Sequence, residues 1–150
     1  MEDILQVNYE GGRRFTSVFS DNALEVPSDQ KPEAGGNGSA PEPFQLFLAA
    51  LASCACVYIQ GYCNRKGIDW SGIKLSLKGD WNSERRVYEK LCFVIDSEAE
   101  LPLKDKALIE TAIRNSAVYR QIVHQAEMGI EHAYNHATNG RTNDDTKTHS

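Results

Sequence analysis

A long uncharged stretch near the middle of the chain restricts its folding more than any other segment. No Asp, Glu, Lys or Arg occurs from Pro43 through Asn64, and Leu46–Ile59 is a run of 14 residues in which Ser53 is the one polar break. A membrane-spanning helix needs about 20 predominantly apolar residues, and runs of about 10–14 are more typical of core helices. The stretch therefore predicts one long helix over Phe44–Arg65, buried on more than one face, and argues against membrane insertion.

The size of the chain bears on how that helix is covered. A chain of 150 residues favours a single domain. Such a domain has difficulty burying a helix that is apolar nearly all round, and a partner subunit would resolve the difficulty. The helix therefore indicates a homodimer. We expect one domain over residues 1–137 and a disordered polar tail over residues 138–150, because that tail has no large apolar side chain.

Alternating apolar residues on both sides of the helix predict antiparallel strands. Three short strands precede residue 27, separated by the turn signals Gly11-Gly12 and Asp21-Asn22. Residues 27–43 contain four of the five prolines and predict a packed loop. After the helix we expect strands over 73–81 and 90–95, a helix opening at Pro102, a helix over Val118–Gln125 and a last strand over Met128–Tyr134. This order predicts an α+β fold with antiparallel sheet.

Charge and cysteine usage exclude several classes of protein. The formal net charge of −5 argues against a general nucleic-acid binder, which needs a basic surface. The first residues, MEDILQVNYEGG, lack the basic and apolar regions of a signal peptide, so we expect a cytoplasmic protein with reduced thiols. Its four cysteines are too few and too loosely spaced for a disulfide scaffold; they are Cys54, Cys56, Cys63 and Cys92.

One pair of histidines has the spacing of metal ligands on a helix. These are His132 and His136. A strand or a tail is expected there, where that spacing does not bring two imidazoles together. The pair Cys54 and Cys56 is an even weaker candidate for a metal site, because both residues lie in an apolar helix. The sequence therefore predicts neither a metal site nor a cofactor.

Four short motifs, in order along the chain, carry a resemblance to a known family. They are Gly11-Gly12-Arg13, Ser20-Asp21-Asn22-Ala23-Leu24, Gly35-Gly36-Asn37-Gly38, and a P-x-x-L-F-x-A-A-L-x-x-C segment over residues 43–54. Together they resemble the OsmC/Ohr family of thiol-dependent peroxidases, over about residues 4–134. The resemblance implies antiparallel sheets packed around a long buried central helix, in an intertwined homodimer.

The same resemblance implies roles for particular side chains. Cys54 would be the nucleophile, a thiolate that attacks the O–O bond of a hydroperoxide and becomes a sulfenic acid. Arg13 stands where the family has a guanidinium that favours the thiolate and holds the charge on the leaving oxygen. Arg14 is the alternative, because adjacent strand residues face opposite sides. The substrate pocket would be apolar and formed by Phe44, Phe47, Leu51 and residues of the partner.

Two positions depart from the family pattern. The family's Glu near the start of the central helix, ten residues before the cysteine, is Phe44 in this chain, and Glu42 is the carboxylate nearest to it. The family's second, resolving cysteine is Ser116. A hydroxyl cannot condense with a sulfenic acid to form a disulfide, so an external thiol would have to resolve Cys54.

Two functions remain open at this point. One is an OsmC-like peroxidase that reduces organic hydroperoxides, with an external thiol as the reductant. The other is a non-enzymatic protein that binds a small hydrophobic ligand in the dimer pocket, with Cys54 at most a redox sensor. The position of the Arg13 or Arg14 guanidinium relative to the Cys54 sulfur discriminates between them, because activation needs hydrogen-bond reach.

Overall fold

The first part of the chain forms a small antiparallel sheet. The structure is a computed structural model that describes residues 4–98 and 100–130. The sheet has the order β1-β2-β3, as the sequence predicts. Gly11 and Gly12 at its first turn have φ angles of 103° and 59°, which glycine adopts without steric cost. The strands are β1 (Leu5–Gly11), β2 (Arg14–Phe19) and β3 (Glu25–Ser28).

The remaining elements alternate helices with a second sheet. Two 3-10 turns lie over Pro32–Ala34 and Trp70–Gly72. The longer elements are the helix α1 (Pro43–Lys66), the antiparallel pair β4 (Ile73–Asn82) and β5 (Val87–Ser97), and the helices α2 (Leu103–Arg114) and α3 (Ala117–Val123). This arrangement confirms the predicted α+β architecture. Of the expected last strand, residues 128–130 have no regular structure, and its remainder and the predicted tail lie outside the described residues.

α1 has clear start and stop signals. Pro43 occupies its first turn, and the Gln45 Oε1 accepts a hydrogen bond of 2.9 Å from the Glu42 backbone N–H, which would otherwise lack a partner. Gly67, in the left-handed region at φ 68°, donates its N–H to the last turn. The helix therefore extends one residue beyond each end of the predicted range.

One face of α1 forms the core of the chain. Ile59 and Cys63 are fully buried and pack with Ile109 and Ile113 of α2 and with Ile73. The other faces of the helix are open in the single chain, so burial on more than one face is not achieved within it. By length and composition α1, with a mean hydropathy of 1.7, could also cross a bilayer, although core helices of soluble proteins meet the same criterion.

The first sheet leaves an apolar face uncovered. Cross-strand pairs place Leu5 beside Phe19, Val7 beside Ser17 and Tyr9 beside Phe15 on one face. Leu5, Val7, Tyr9 and Phe15 are exposed. Among the described residues, the elements packed most extensively against α1 are α2, α3, β4 and the second 3-10 turn, and no strand of the first sheet is among them. The part of the chain that the structure describes therefore leaves two apolar surfaces uncovered, one on this sheet and one on α1.

Candidate functional site

The two hairpin arginines have different surroundings. Arg14 donates from Nε to Glu10 Oε2 and from Nη1 to Ser39 Oγ, each at 2.7 Å. Thr16 donates its hydroxyl to the other oxygen of the Glu10 carboxylate. These donors, that of Thr16 foremost, hold the pKa of Glu10 below its usual value. Arg14 is thus held between the hairpin and the loop that follows β3.

That loop, residues 29–41, is built around a buried carboxylate and is called the Asp29 loop below. Asp29 Oδ2 accepts hydrogen bonds from the Ser39 N–H at 3.0 Å, the Ser39 hydroxyl at 2.8 Å and the Asn37 N–H at 3.2 Å. Ser39 Oγ therefore joins the Arg14 guanidinium to the Asp29 carboxylate. A Cβ on Gly36 would lie 1.9 Å from the Gln30 carbonyl oxygen, so only glycine fits there. The glycine-rich motif thus has a structural role in closing this loop.

Asp29 is expected to make the stability of the protein depend on pH. The donors of Ser39 and Asn37, the Ser39 N–H foremost, hold the pKa of Asp29 below its usual value. Its contribution to the free energy of unfolding is therefore present above the unfolded-state pKa, about 3.9, and is lost as the pH falls through the folded-state pKa. Asp29→Asn should lower the urea midpoint at pH 7, and the difference from wild type should shrink on acidification to pH 2. Asp80→Asn, on an exposed carboxylate, is the control, and a constant difference over this range would contradict the prediction.

Arg13, the other arginine of the hairpin, differs from Arg14 in its surroundings. It lies in the turn between β1 and β2 and is exposed. Its Nε lies 3.9 Å from the position a Cβ on Gly35 would take, so its side chain extends over the Asp29 loop. Among residues 4–98 and 100–130 it has no ion pair or side-chain hydrogen bond, whereas Arg14 has both. The structure therefore distinguishes the two arginines that the sequence left equivalent.

Cys54 lies on the open side of α1 and is neither fully exposed nor sealed in the core. It is half-buried. In the described part of the chain no hydrogen bond joins its sulfur to Arg13 or Arg14. All four cysteines are free thiols, and burial raises the pKa of Cys56 and of Cys63. Cys92 is exposed on β5. Accessibility along α1 thus favours Cys54 over Cys63, but no cation among residues 4–98 and 100–130 forms a hydrogen bond with the Cys54 sulfur.

Neither Glu42, the carboxylate nearest to the altered helix start, nor Ser116, at the resolving position, contacts the hairpin arginines through a hydrogen bond in the described residues. Glu42 precedes the first turn of α1, and no hydrogen bond links it to Arg13 or Arg14 in the described residues. Glu10 is the carboxylate that meets an arginine instead. Ser116 precedes α3 and is fully buried, and its Oγ has no hydrogen-bond partner among the described residues. Position 116 therefore holds a hydroxyl in surroundings that would suit a thiol at least as well.

Two of the three predicted pocket side chains belong to a larger group. Phe44 stacks on Tyr88 with ring centroids 5.6 Å apart, Trp81 meets Tyr88 edge-on at 5.0 Å, and Phe47 lies 5.3 Å from Phe44. We call these four residues the aromatic cluster. Leu51 is not part of it, since only 2% of its surface is exposed, and it lines a separate cavity of about 860 Å³ between β5 and the helices α2 and α3.

Sequence reasoning missed Glu10, Asp29, Ser39, Trp81 and Tyr88 as neighbours of the predicted site. One signal was available for Glu10, which lies four residues before Arg14 across the Gly11-Gly12 turn and so can pair with it. The histidine pair with helical metal-ligand spacing, His132 and His136, which we did not expect to bind a metal, lies outside the described residues. Within those residues no cluster of His, Cys, Asp and Glu could hold a metal ion.

Solved structures with the same fold come from several bacteria. One is an osmotic stress induced and detoxification response protein of Psychrobacter arcticus 273-4, with TM-score 0.69 and 21% identity over 81% of this chain and 88% of that one. Another is an organic hydroperoxide resistance protein of Legionella pneumophila, with TM-score 0.56 and 21% identity over 79% of this chain and 88% of that one. A third is an organic hydroperoxide resistance protein of Vibrio cholerae with captopril in one of its active sites. It has TM-score 0.53 and 19% identity over 82% of this chain and 87% of that one.

At these identities the structural likeness establishes the fold. A search of curated proteins finds no match to the chain. The family model described as OsmC-like protein matches residues 36–131, which is well over half of the sequence and includes α1 with Cys54, the second sheet and both shorter helices. The chain therefore belongs to the OsmC-like family.

Proposed function

We propose that the protein is a cytoplasmic, homodimeric thiol peroxidase that reduces organic hydroperoxides through Cys54, and that residues 1–137 form its single domain. The observation that carries the proposal is the half-buried Cys54 thiol on the open apolar side of α1, in a chain whose exposed Arg13 has no partner among the described residues. Two solved structures of this fold are named as organic hydroperoxide resistance proteins, which supports the same chemistry.

The chemical step transfers one oxygen atom to sulfur. The Cys54 thiolate attacks the terminal oxygen of the hydroperoxide, the O–O bond breaks, and its electron pair leaves on the alkoxide, which takes up a proton to become the alcohol. Sulfur is thereby oxidised to the sulfenic acid. An external thiol then condenses with the sulfenic acid, releasing water and forming a mixed disulfide. A second external thiol restores the Cys54 thiol and leaves as the oxidised disulfide.

A second copy of the chain would cover the exposed apolar surfaces and bring a guanidinium to Cys54. The first sheet has an uncovered apolar face that ends at the hairpin carrying Arg13, and α1 has an uncovered apolar side that carries Cys54. If each sheet covers the helix of the other copy, both apolar surfaces are buried and Arg13 of one chain approaches Cys54 of its partner. A guanidinium within about 4–6 Å of the sulfur favours the thiolate.

The dimer is tested by placing a charge on the open side of α1. Val57 is 64% exposed and lies one turn beyond Cys54. Val57→Asp should shift the sedimentation coefficient from that of a dimer to that of a monomer, because burying an unpaired carboxylate in an apolar interface costs several kcal/mol. Gln60→Asp, an exposed polar position on the same helix, is the matched control and should remain dimeric. A wild-type protein that sediments as a monomer would remove the basis for this assembly.

One observation favours the second candidate, a non-enzymatic protein that binds an apolar ligand. Among the described residues no hydrogen bond joins the Cys54 sulfur to Arg13 or Arg14, and the position of the resolving cysteine is occupied by Ser116. The experiment that separates the candidates is hydroperoxide consumption with excess dithiothreitol by wild type and by Cys54→Ser. A rate that is lost in Cys54→Ser would establish the peroxidase. Equal rates in wild type and Cys54→Ser would leave ligand binding as the function.

A further inference from the structure

The start of α1 has no carboxylate that meets the arginine proposed to activate Cys54. Residues 43–64 carry no charge, and Phe44, in the first turn of the helix, stacks on Tyr88 with ring centroids 5.6 Å apart. A long side chain loses rotamer freedom when it is fixed, and a group that acts on a reacting atom has to be held in a defined geometry. The position of Arg13 therefore has to be set by elements other than α1.

A series of hydrogen bonds, which we call the anchor, ties the hairpin to the Asp29 loop. It runs from Thr16 through Glu10, Arg14 and Ser39 to Asp29. Both of its ends are buried, since Thr16 is 5% exposed and Asp29 is 1% exposed. The bonds from Arg14 to Ser39 and from Ser39 to Asp29 measure 2.7 and 2.8 Å, and each includes a charged group. Such bonds are about twice as strong as neutral ones, so the anchor fixes the start of β2 on the loop.

Arg13 is the residue next to the anchor. It immediately precedes Arg14, so its Cα lies about 3.8 Å from that of the anchored residue. Its side chain extends over the same loop, with Nε 3.9 Å from where a Cβ on Gly35 would be. That loop is closed by the backbone N–H groups that donate to the Asp29 carboxylate. Asp29 thus fixes both the backbone from which Arg13 projects and the surface that its side chain covers.

The anchor also distinguishes the charges of the two arginines. Arg14 forms an ion pair with Glu10 at 2.7 Å, and through Ser39 it faces the Asp29 carboxylate as well. Two carboxylates therefore balance its charge, which leaves it little effect on a distant thiol. Arg13 is exposed and forms no ion pair within residues 4–98 and 100–130. Arg14 is thus the fixed point of the hairpin, and Arg13 is the guanidinium available to a thiolate.

We propose that Asp29 and Ser39 are positioning residues, which act through Arg14 to hold Arg13 where it meets the partner's Cys54. This inference rests on the proposed function, because it assigns how that same site is organised. Asp29 and Ser39 act on the thiol through Arg13 and not by contact with the sulfur. Their effect on the reactivity of Cys54 is therefore smaller than that of Arg13 and depends on Arg13 being present.

Ser39→Ala tests the anchor with little disturbance of the loop. It removes the hydroxyl that joins Arg14 to Asp29 but keeps the backbone N–H of residue 39 that closes the loop. The measurement is the rate at which iodoacetamide alkylates Cys54 in the full-length protein at pH 7, followed by mass spectrometry. This neutral reagent reports the thiolate fraction. Arg13→Ala should lower the rate roughly 10-fold and Ser39→Ala roughly 2–5-fold, because a released guanidinium is near the thiol for only part of the time.

A double mutant separates positioning from a general loss of structure. Ser39→Ala combined with Arg13→Ala should react as slowly as Arg13→Ala alone, because Ser39 has nothing to position once Arg13 is removed. Ser39→Thr keeps a hydroxyl at an exposed position and should restore the wild-type rate. Ser28→Ala is the matched control, because its hydroxyl donates to the Phe15 carbonyl oxygen in the same sheet, and it should react like wild type. A further loss in the double mutant, or equal rates in Ser39→Ala and wild type, would overturn the inference.

A measurement on the hairpin itself keeps this inference separate from the peroxidase proposal. Amide hydrogen exchange of peptides covering residues 5–19 reports the opening of the turn, whatever the chemistry of the thiol. Ser39→Ala should speed this exchange about 10-fold, the effect of losing one hydrogen bond to a charged group, and Ser28→Ala should not. If Arg13→Ala leaves the alkylation of Cys54 unchanged, the proposed activation by Arg13 is wrong, and the exchange alone decides whether the anchor holds the turn. Unchanged exchange in Ser39→Ala would overturn the anchor in either case.

Discussion

Cys54→Ser is expected to reduce hydroperoxide consumption by roughly three orders of magnitude or more, to the background rate of dithiothreitol alone. A serine hydroxyl is not ionised near neutral pH, and no other group takes over the role of an attacking nucleophile once it is removed. The measurement is the loss of cumene hydroperoxide with excess dithiothreitol. Mass spectrometry after dimedone treatment should place the sulfenic acid on Cys54.

The remaining cysteines provide the controls for that experiment. Burial raises the pKa of Cys56 and Cys63, which lowers their thiolate fraction at neutral pH. Cys92 is exposed on β5 and is the thiol most able to react without any catalytic surroundings. Cys92→Ser should therefore keep the wild-type rate. A rate that disappears with Cys92 and persists without Cys54 would refute the assignment of the nucleophile.

The sequence predicted the fold well where its signals are local. The absence of charge from Pro43 through Asn64 and the glycine at position 67 set the limits of α1 to within one residue. Strict alternation predicted β4, and the Gly11-Gly12 turn predicted the first hairpin. These elements are determined by residues close together in the sequence, so the local signals are enough to predict them.

The parts that the sequence could not predict depend on contacts between distant segments. The link from Arg14 through Ser39 to Asp29 joins a hairpin to a loop about 25 residues away, and neither segment specifies the other. The sequence also does not predict which side of α1 is buried, because a helix that is apolar nearly all round has no periodicity to identify its core face. For the same reason Leu51 and Phe47, only four residues apart, differ in burial without any sequence signal.

The second large effect is expected from the hairpin. Arg13→Ala should lower kcat/KM for cumene hydroperoxide roughly 100–1000-fold, the usual effect of removing one group that stabilises charge in a transition state. Arg14→Ala should act mainly on stability, because Arg14 is already bound to Glu10 and Ser39. Comparison of the rates and of the urea midpoints of the two variants tests this division. A larger loss of rate in Arg14→Ala would assign the catalytic guanidinium to the other arginine.

Mixed dimers show from which chain the arginine comes. When Cys54→Ser and Arg13→Ala chains carry different tags and are purified as one heterodimer, the two mutations lie in different subunits. If Arg13 reaches the partner's helix, one site combines an intact Cys54 with an intact Arg13, and the heterodimer should have about half the wild-type rate. If the arginine serves its own chain, both sites are defective, and the rate should be about half that of the Arg13→Ala homodimer, because only one of the two sites retains Cys54. We expect the first result, because the sheet that carries Arg13 is not among the elements packed most extensively against α1 of its own chain, and the described residues leave both surfaces apolar and exposed.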